Sequence, residues 1–172
     1  WAILSAGIIG ATLPFLYFNL FSRRNKIFMG DTGSLFLGFI ISILAIKFNE
    51  SCTGISGTYS IQAAPAVSIG ILMIPIYDTL RVFVTRLVKN KPPFTPDKTH
   101  IHHYLLDLGF SHGAATLILT LTSILFIVVS FLLKNLTVFW LLIILTSIAS
   151  ILSFIPIFFV LRKKQRQTMP DC

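Results

Sequence analysis

Residues 1–22, WAILSAGIIGATLPFLYFNLFS, carry no charged side chain. At about 1.5 Å of rise per residue, such a run is long enough to cross the roughly 30 Å hydrocarbon core of a bilayer as a helix. Pro14 predicts a kink inside it. Arg23, Arg24 and Lys26 follow at once, and a basic cluster at the end of a span marks its cytoplasmic side. No initiator Met or basic segment precedes the run, so it does not read as a signal peptide. The chain is expected to continue a longer protein.

The same reading extends outward along the chain. With 55% hydrophobic and 12% charged residues among 172, the composition is that of a multispanning membrane protein. The uncharged stretch from Thr32 to Ile46 is too short alone, so the second crossing must use residues 31–48, with Asp31 and Lys47 at its edges. Residues 60–77 return inward, with Pro65 and Pro75 expected as breaks. Residues 78–113 form the longest polar segment and hold all four histidines. Its first part, Asp78 to Lys89, is expected to prolong the third span as an interfacial helix, since nothing breaks it before Pro92 and Pro93. Thr95-Pro96-Asp97 then predicts the start of a short helix, and Gly109 its end.

Residues 114–133 and 136–161 complete five crossings, joined by a tight turn at Lys134 and Asn135. This topology places twelve of the fourteen Lys and Arg residues on one side, leaving only Lys47 and Lys134 on the other, as the positive-inside rule demands. The expected fold is therefore all-α: a polytopic transmembrane bundle in one domain, residues 1–172, with a cytoplasmic C-terminus in the cell membrane. The net charge of +8 lies between apolar runs, where it sets topology and meets headgroups, so nucleic acid is excluded as a partner. Cys52 and Cys172 fall on opposite sides and cannot pair.

Two stretches could carry chemistry. Gly30-Asp31-Thr32-Gly33-Ser34 sets a carboxylate, two hydroxyls and glycines before an apolar helix, a combination that suits a metal-bound diphosphate. Asp31 or Thr32 acting simply as a helix cap accounts for the same residues equally well. His100, His102 and His103 form His-x-His-His in the polar segment. On a helix, His100, His103 and Asp107 share a face, and histidines there can bind phosphate, relay a proton or hold a metal, or simply be solvated. Asp78 and Arg81, at i and i+3, read as an interfacial ion pair. The cluster Arg81, Arg86, Lys89, Lys91 and Lys98 reads as a topological signal that would also attract an anionic lipid or a nucleotide diphosphate. His112 receives no role. Phe28 reads as a nucleobase platform or an interfacial anchor.

Lys-Ile-Phe-Met-Gly-Asp-Thr-Gly-Ser-Leu-Phe-Leu-Gly at 26–38 and Pro-Phe-Thr-Pro-Asp-Lys-Thr-His-Ile-His-His at 93–103 resemble the polyprenyl-phosphate N-acetylhexosamine-1-phosphate transferases. Tyr17-Phe18-Asn19 and the run from Pro75 to Arg81 fit the same pattern, so the resemblance extends from Phe15 to Gly109. It implies an integral membrane enzyme that moves a sugar-1-phosphate from a UDP-sugar to a polyprenyl phosphate and releases UMP. It further implies Mg²⁺ as cofactor, with Asp31 as its ligand, and His100, His102 and His103 as the catalytic histidine motif. Lys26, Phe28, Gly30, Thr32, Gly33, Ser34, Arg81 and Asp97 are the substrate-binding candidates. The isoleucine between His100 and the His102-His103 pair looks more like the GlcNAc-1-phosphate branch than the MurNAc-pentapeptide branch. The implied partners are the UDP-sugar, the acceptor lipid (undecaprenyl phosphate), the membrane and, as an option, a second copy in a homodimer.

The sequence departs from that pattern in lacking the family's adjacent Asp pair and Asn-rich Asp-Gly motif; its six acids are all isolated. The chain is accordingly expected to be the C-terminal half of such an enzyme and inactive alone. Two other classes compete, an ion or metal transporter and a non-catalytic membrane subunit. A transporter predicts acids or histidines deep inside several spans, whereas here Asp31 and Asp78 lie at span edges.

Overall fold

A computed structural model describes residues 1–21, 27, 29–53, 61–90, 92 and 100–168. Among these residues there are seven helices and no strand: α1 (Ala2–Phe21), α2 (Gly30–Thr53), α3 (Ala64–Ile71), α4 (Met73–Val88), α5 (Ile101–Asp107), α6 (His112–Leu132) and α7 (Val138–Thr168). The all-α transmembrane expectation holds. Four helices are long and apolar enough to cross a membrane, α1, α2, α6 and α7, or five crossings result if the bent pair α3–α4 counts as one. The chain divides into two compact units, Trp1–Ser51 and Cys52–Cys172.

In the first unit Pro14 lies within α1, which runs on past it. The Nζ of Lys47, on α2, sits 5.6 Å from the Trp1 ring centroid and 2.7 Å from Glu50 Oε2. The Lys47 stem is thus spent along the helix while its charge finds an aromatic face and a carboxylate. Between α1 and α2, Asn19 Oδ1 accepts the Ile27 N–H at 3.2 Å.

The second unit is built around an α6–α7 hairpin. Ser111 caps α6, its hydroxyl accepting the Ala114 N–H at 3.2 Å, a favoured N-cap arrangement. Hydrocarbon leaves a hydroxyl no water to bond, and the hydroxyls of α6 turn back onto their own helix. Thr116, Thr120, Thr122, Ser123 and Ser130 each donate to the carbonyl four residues earlier. Helix α7 continues past the expected end at Leu161 as far as Thr168, because nothing in Arg162 to Gln167 opposes helix.

The third crossing differs from the sequence expectation. Pro65 does not break it. It sits in the first turn of α3, where a missing N–H costs no bond. The break is at Leu72, where α3 and α4 bend by 78°. Pro75 explains it, having no N–H for the Ile71 carbonyl and a ring that crowds it. Past the break, α4 carries Asp78 to Val88 as one helix, as expected. Helix α3 is packed between α6 and α7, with Ala63, Ala64, Ala66 and Val67 fully buried. Its start is pinned by the Ala63 N–H to the Lys134 carbonyl in the α6–α7 turn, at 3.3 Å. Cys52 is a free, buried thiol, and Cys172 lies outside the described residues.

Candidate functional site

At the end of the hairpin opposite the Lys134 turn, α5 lies against α6 and α7. Ile101 and Leu105 are buried on Ala115 of α6, with Leu106, Ile118 and Leu119 packed around them. Gly109 stops the helix as expected, at φ 104°, a value open to glycine and costly for other residues. Lys163 of α7 then donates to the Asp107 carbonyl at 2.9 Å, setting a cation on the negative end of the helix dipole.

The start of α5 corrects the expected face. Thr95, Pro96 and Asp97 lie outside the described residues, and His100 is the N-cap with extended backbone (φ −69°, ψ 150°). His100 is therefore not in helical register with His103 and Asp107. What takes it out of register is Asp78. The Asp78 carboxylate meets three groups: Arg81 Nη2 at 2.8 Å from Oδ1, His100 Nδ1 at 2.9 Å from Oδ2, and the Ile101 N–H at 3.1 and 3.3 Å from the two oxygens. The Arg81–Asp78 pair was expected; its reach to α5 was not. The Asp78 side chain is 15% and that of Arg81 14% exposed, against 43% for His100, so the acid is withdrawn and the ring presented. The Arg81 guanidinium also lies 5.6 Å from the Tyr104 ring centroid. Arg86, expected among the headgroup-facing charges, is buried on α4, whereas Lys89 is exposed.

The other two histidines of the motif form a second group. The His102 ring centroid lies 5.8 Å from that of His103 and 5.7 Å from that of His112. His112 opens α6, so the α5–α6 turn delivers a residue that the sequence left without a role. His102 is held below the usual histidine range, first by burial and then by the nearby charges His103 and His112 would carry. It is consequently neutral at neutral pH. Among the described residues no three His, Cys, Asp or Glu side chains are placed to hold a metal.

In the first unit, Gly30 opens α2 with φ 67°, and Asp31 stands exposed in the first turn. Thr32 and Ser34 are exposed beside it, and Gly33 is half-buried. The Ser34 hydroxyl donates to the Asp31 carbonyl at 2.9 Å, while Gly33 leaves room for the Met29 side chain, which a Cβ would strike. Lys26 and Phe28, like Asp97, Lys91 and Lys98, lie outside the described residues.

A cavity of about 370 Å³ also lies among α4–α7, bounded by Tyr77, Ile101, Phe126, Ser153 and Phe159 among others. Its lining is too apolar for a phosphoryl group, which would lose its hydration and gain no cation in return. The polar groups of this end are gathered instead around Asp78 and His100.

Residues 1–49 match the model of glycosyl transferase family 4. A probable undecaprenyl-phosphate N-acetylglucosaminyl 1-phosphate transferase of Bacillus subtilis is 41% identical over 139 residues, covering 80% of this chain and 36% of its own. The undecaprenyl-phosphate alpha-N-acetylglucosaminyl 1-phosphate transferase of Escherichia coli K12 is 33% identical over 124 residues, 71% of this chain and 32% of its own. A decaprenyl-phosphate N-acetylglucosaminephosphotransferase of Mycolicibacterium smegmatis is also 33% identical over 124 residues, 70% of this chain and 30% of its own. The chain spans about a third of the length of these curated relatives. No solved structure matches. By its sequence, the chain is a homologue of the polyprenyl-phosphate N-acetylhexosamine-1-phosphate transferases of glycosyl transferase family 4.

Proposed function

We propose that the complete protein transfers GlcNAc-1-phosphate from UDP-GlcNAc to undecaprenyl phosphate on the cytoplasmic face of the cell membrane. In the net reaction an oxygen of the lipid phosphate bonds to the sugar-bearing phosphorus. The bond between the two donor phosphates breaks, and UMP leaves with its charge. The observation that carries this reading is the docking of the histidine motif onto the charged end of the second unit, through Asp78 and Arg81. That end also holds Lys163, while Lys134 lies at the other, and this asymmetry favours a cytoplasmic site.

The acceptor phosphate sits at headgroup depth and the donor is soluble, so reaction at the interface is what the chemistry requires. His100 and His103 orient the phosphates. His102, kept neutral, supplies a ring nitrogen able to accept a proton. Asp31 fits Mg²⁺ as one of its ligands: an exposed carboxylate is a hard oxygen donor, and this ion commonly takes one or two carboxylates and completes its shell with substrate phosphates and water. When bound, Mg²⁺ would screen the diphosphate and the charge of the departing UMP. Gly30, Thr32, Gly33 and Ser34 surround that carboxylate in sequence, and Lys26, Phe28, Arg81 and Asp97 are assigned to donor binding.

Membranes carrying the protein should release UMP from UDP-GlcNAc only when undecaprenyl phosphate and Mg²⁺ are both present. Absence of UMP release refutes the reaction, and normal turnover by Asp31→Asn refutes the metal role.

A further inference from the structure

Helix α5 has no capping side chain of its own, for its N-cap is His100, whose ring makes no bond to the helix amides. The cap comes from α4 instead. Asp78 accepts the first helical N–H, that of Ile101, and the same carboxylate takes the His100 ring on Oδ2. Arg81, one turn further along α4, holds Oδ1 and spreads over Tyr104. A single acid thus fixes the start of α5 and the rotation of its first ring.

We infer that Asp78 is a positioning residue for the histidine motif, holding His100 with a proton on Nδ1 so that Nε2 is the nitrogen offered to substrate phosphate. A carboxylate taking an N–H and a guanidinium is an acceptor only. The ring nitrogen 2.9 Å from it must therefore be the N–H, and the tautomer follows. On the neutral ring Nε2 then keeps its lone pair, and on the protonated ring it donates to a phosphate oxygen. Asp78 itself touches no substrate; it acts through His100. The purpose assigned to this arrangement rests on the phosphoglycosyl transfer reading, whereas the tautomer does not.

The test begins with the 172-residue chain, labelled with ¹⁵N-histidine, in lipid nanodiscs. Imidazole nitrogen correlation spectra should show His100 as the Nδ1–H tautomer. Asp78→Leu should release it to Nε2–H, and Asp78→Asn, whose amide oxygen still accepts, should retain Nδ1–H. A wild-type His100 whose neutral ring carries its one proton on Nε2 overturns the inference without any variant, so a misfolded Asp78→Leu cannot shelter it. In the complete protein, Asp78→Leu should lower kcat for UMP release by about tenfold or more, as loss of a ring-orienting partner does elsewhere. KM for UDP-GlcNAc should hardly change, and Asp78→Asn should restore part of the rate. Equal losses in both variants, or a loss confined to KM, would reduce Asp78 to a structural dock and overturn its positioning role. The expected tautomer in a wild-type protein that releases no UMP would sink the reaction reading alone.

Discussion

Gly70→Ala tests a close helix contact in the second unit. Gly70 lies on α3 where it meets α6, and a Cβ built there would collide with Ser130 Oγ, lie 2.9 Å from Ser130 Cβ and stand 3.1 Å from Leu145 Cδ1. Small residues at such crossings let helix backbones approach, which is how apolar helices gain contact energy in lipid. Ser130 does not give way cheaply. It is fully buried, and its hydroxyl is committed to the Phe126 carbonyl at 2.6 Å. Forcing a methyl group into a filled core costs about 1–3 kcal/mol, and turning the hydroxyl off its acceptor adds about 0.5–1.5 kcal/mol. A loss of about 1.5–4.5 kcal/mol is therefore expected from those two terms.

The assay is reversible unfolding in mixed micelles, followed by far-ultraviolet circular dichroism as the denaturing detergent is raised. Ser130→Gly removes both obstructing atoms and leaves only the flexible end of Leu145. Combined with Gly70→Ala, it should show a favourable coupling of at least about 1 kcal/mol in a double-mutant cycle. A loss below about 0.5 kcal/mol for Gly70→Ala, or strict additivity of the pair, would refute the contact.

His102 supplies a prediction in pH. Its proton is taken up more readily in the unfolded chain than in the folded one, so its contribution to stability is complete above about pH 6.5 and is lost as pH falls through the depressed folded-state value. His102→Gln should flatten that acid-side decline, and NMR titration should show the His102 value rising toward normal in His112→Gln; no change there would remove His112 as a cause. Lys163→Met should fray the end of α5 by about 0.3–1 kcal/mol, seen as roughly two- to fivefold faster exchange of the Leu108, Gly109 and Phe110 amides, and unaltered exchange would deny Lys163 its capping role.

Much of the membrane architecture was legible because its signals are local. Charge-free runs of hydrocarbon length, the basic residues between them, Pro75 as a breaker and Gly109 as a terminator each act over a turn or two. The histidine motif could be picked out as residues but not as an arrangement. The acid that caps α5 lies 22 residues before His100, beyond any helical or turn spacing, so Asp78 was read only with its neighbour Arg81. His112 was overlooked for a related reason. Its meeting with His102 depends on the reversal of the chain through Gly109 and Ser111, which periodicity does not describe. The capping question at Asp31 was local and remained ambiguous in sequence. The structure places Asp31 and Thr32 within the first turn, both exposed.

Helix α3 has a consequence for how the protein is made. Eight residues span only about 12 Å, well short of the roughly 30 Å that lets a segment partition into the bilayer unaided. Its stable surroundings are Ser130 and Leu145, which are synthesised long after it. The backbone interruption at Leu72 is likewise tolerable in a membrane only once protein covers it. Insertion of α3 is thus completed after the fact. The last two spans serve as the template for an element translated before them, and a chain that stops short of Leu145 leaves α3 without a place to reside.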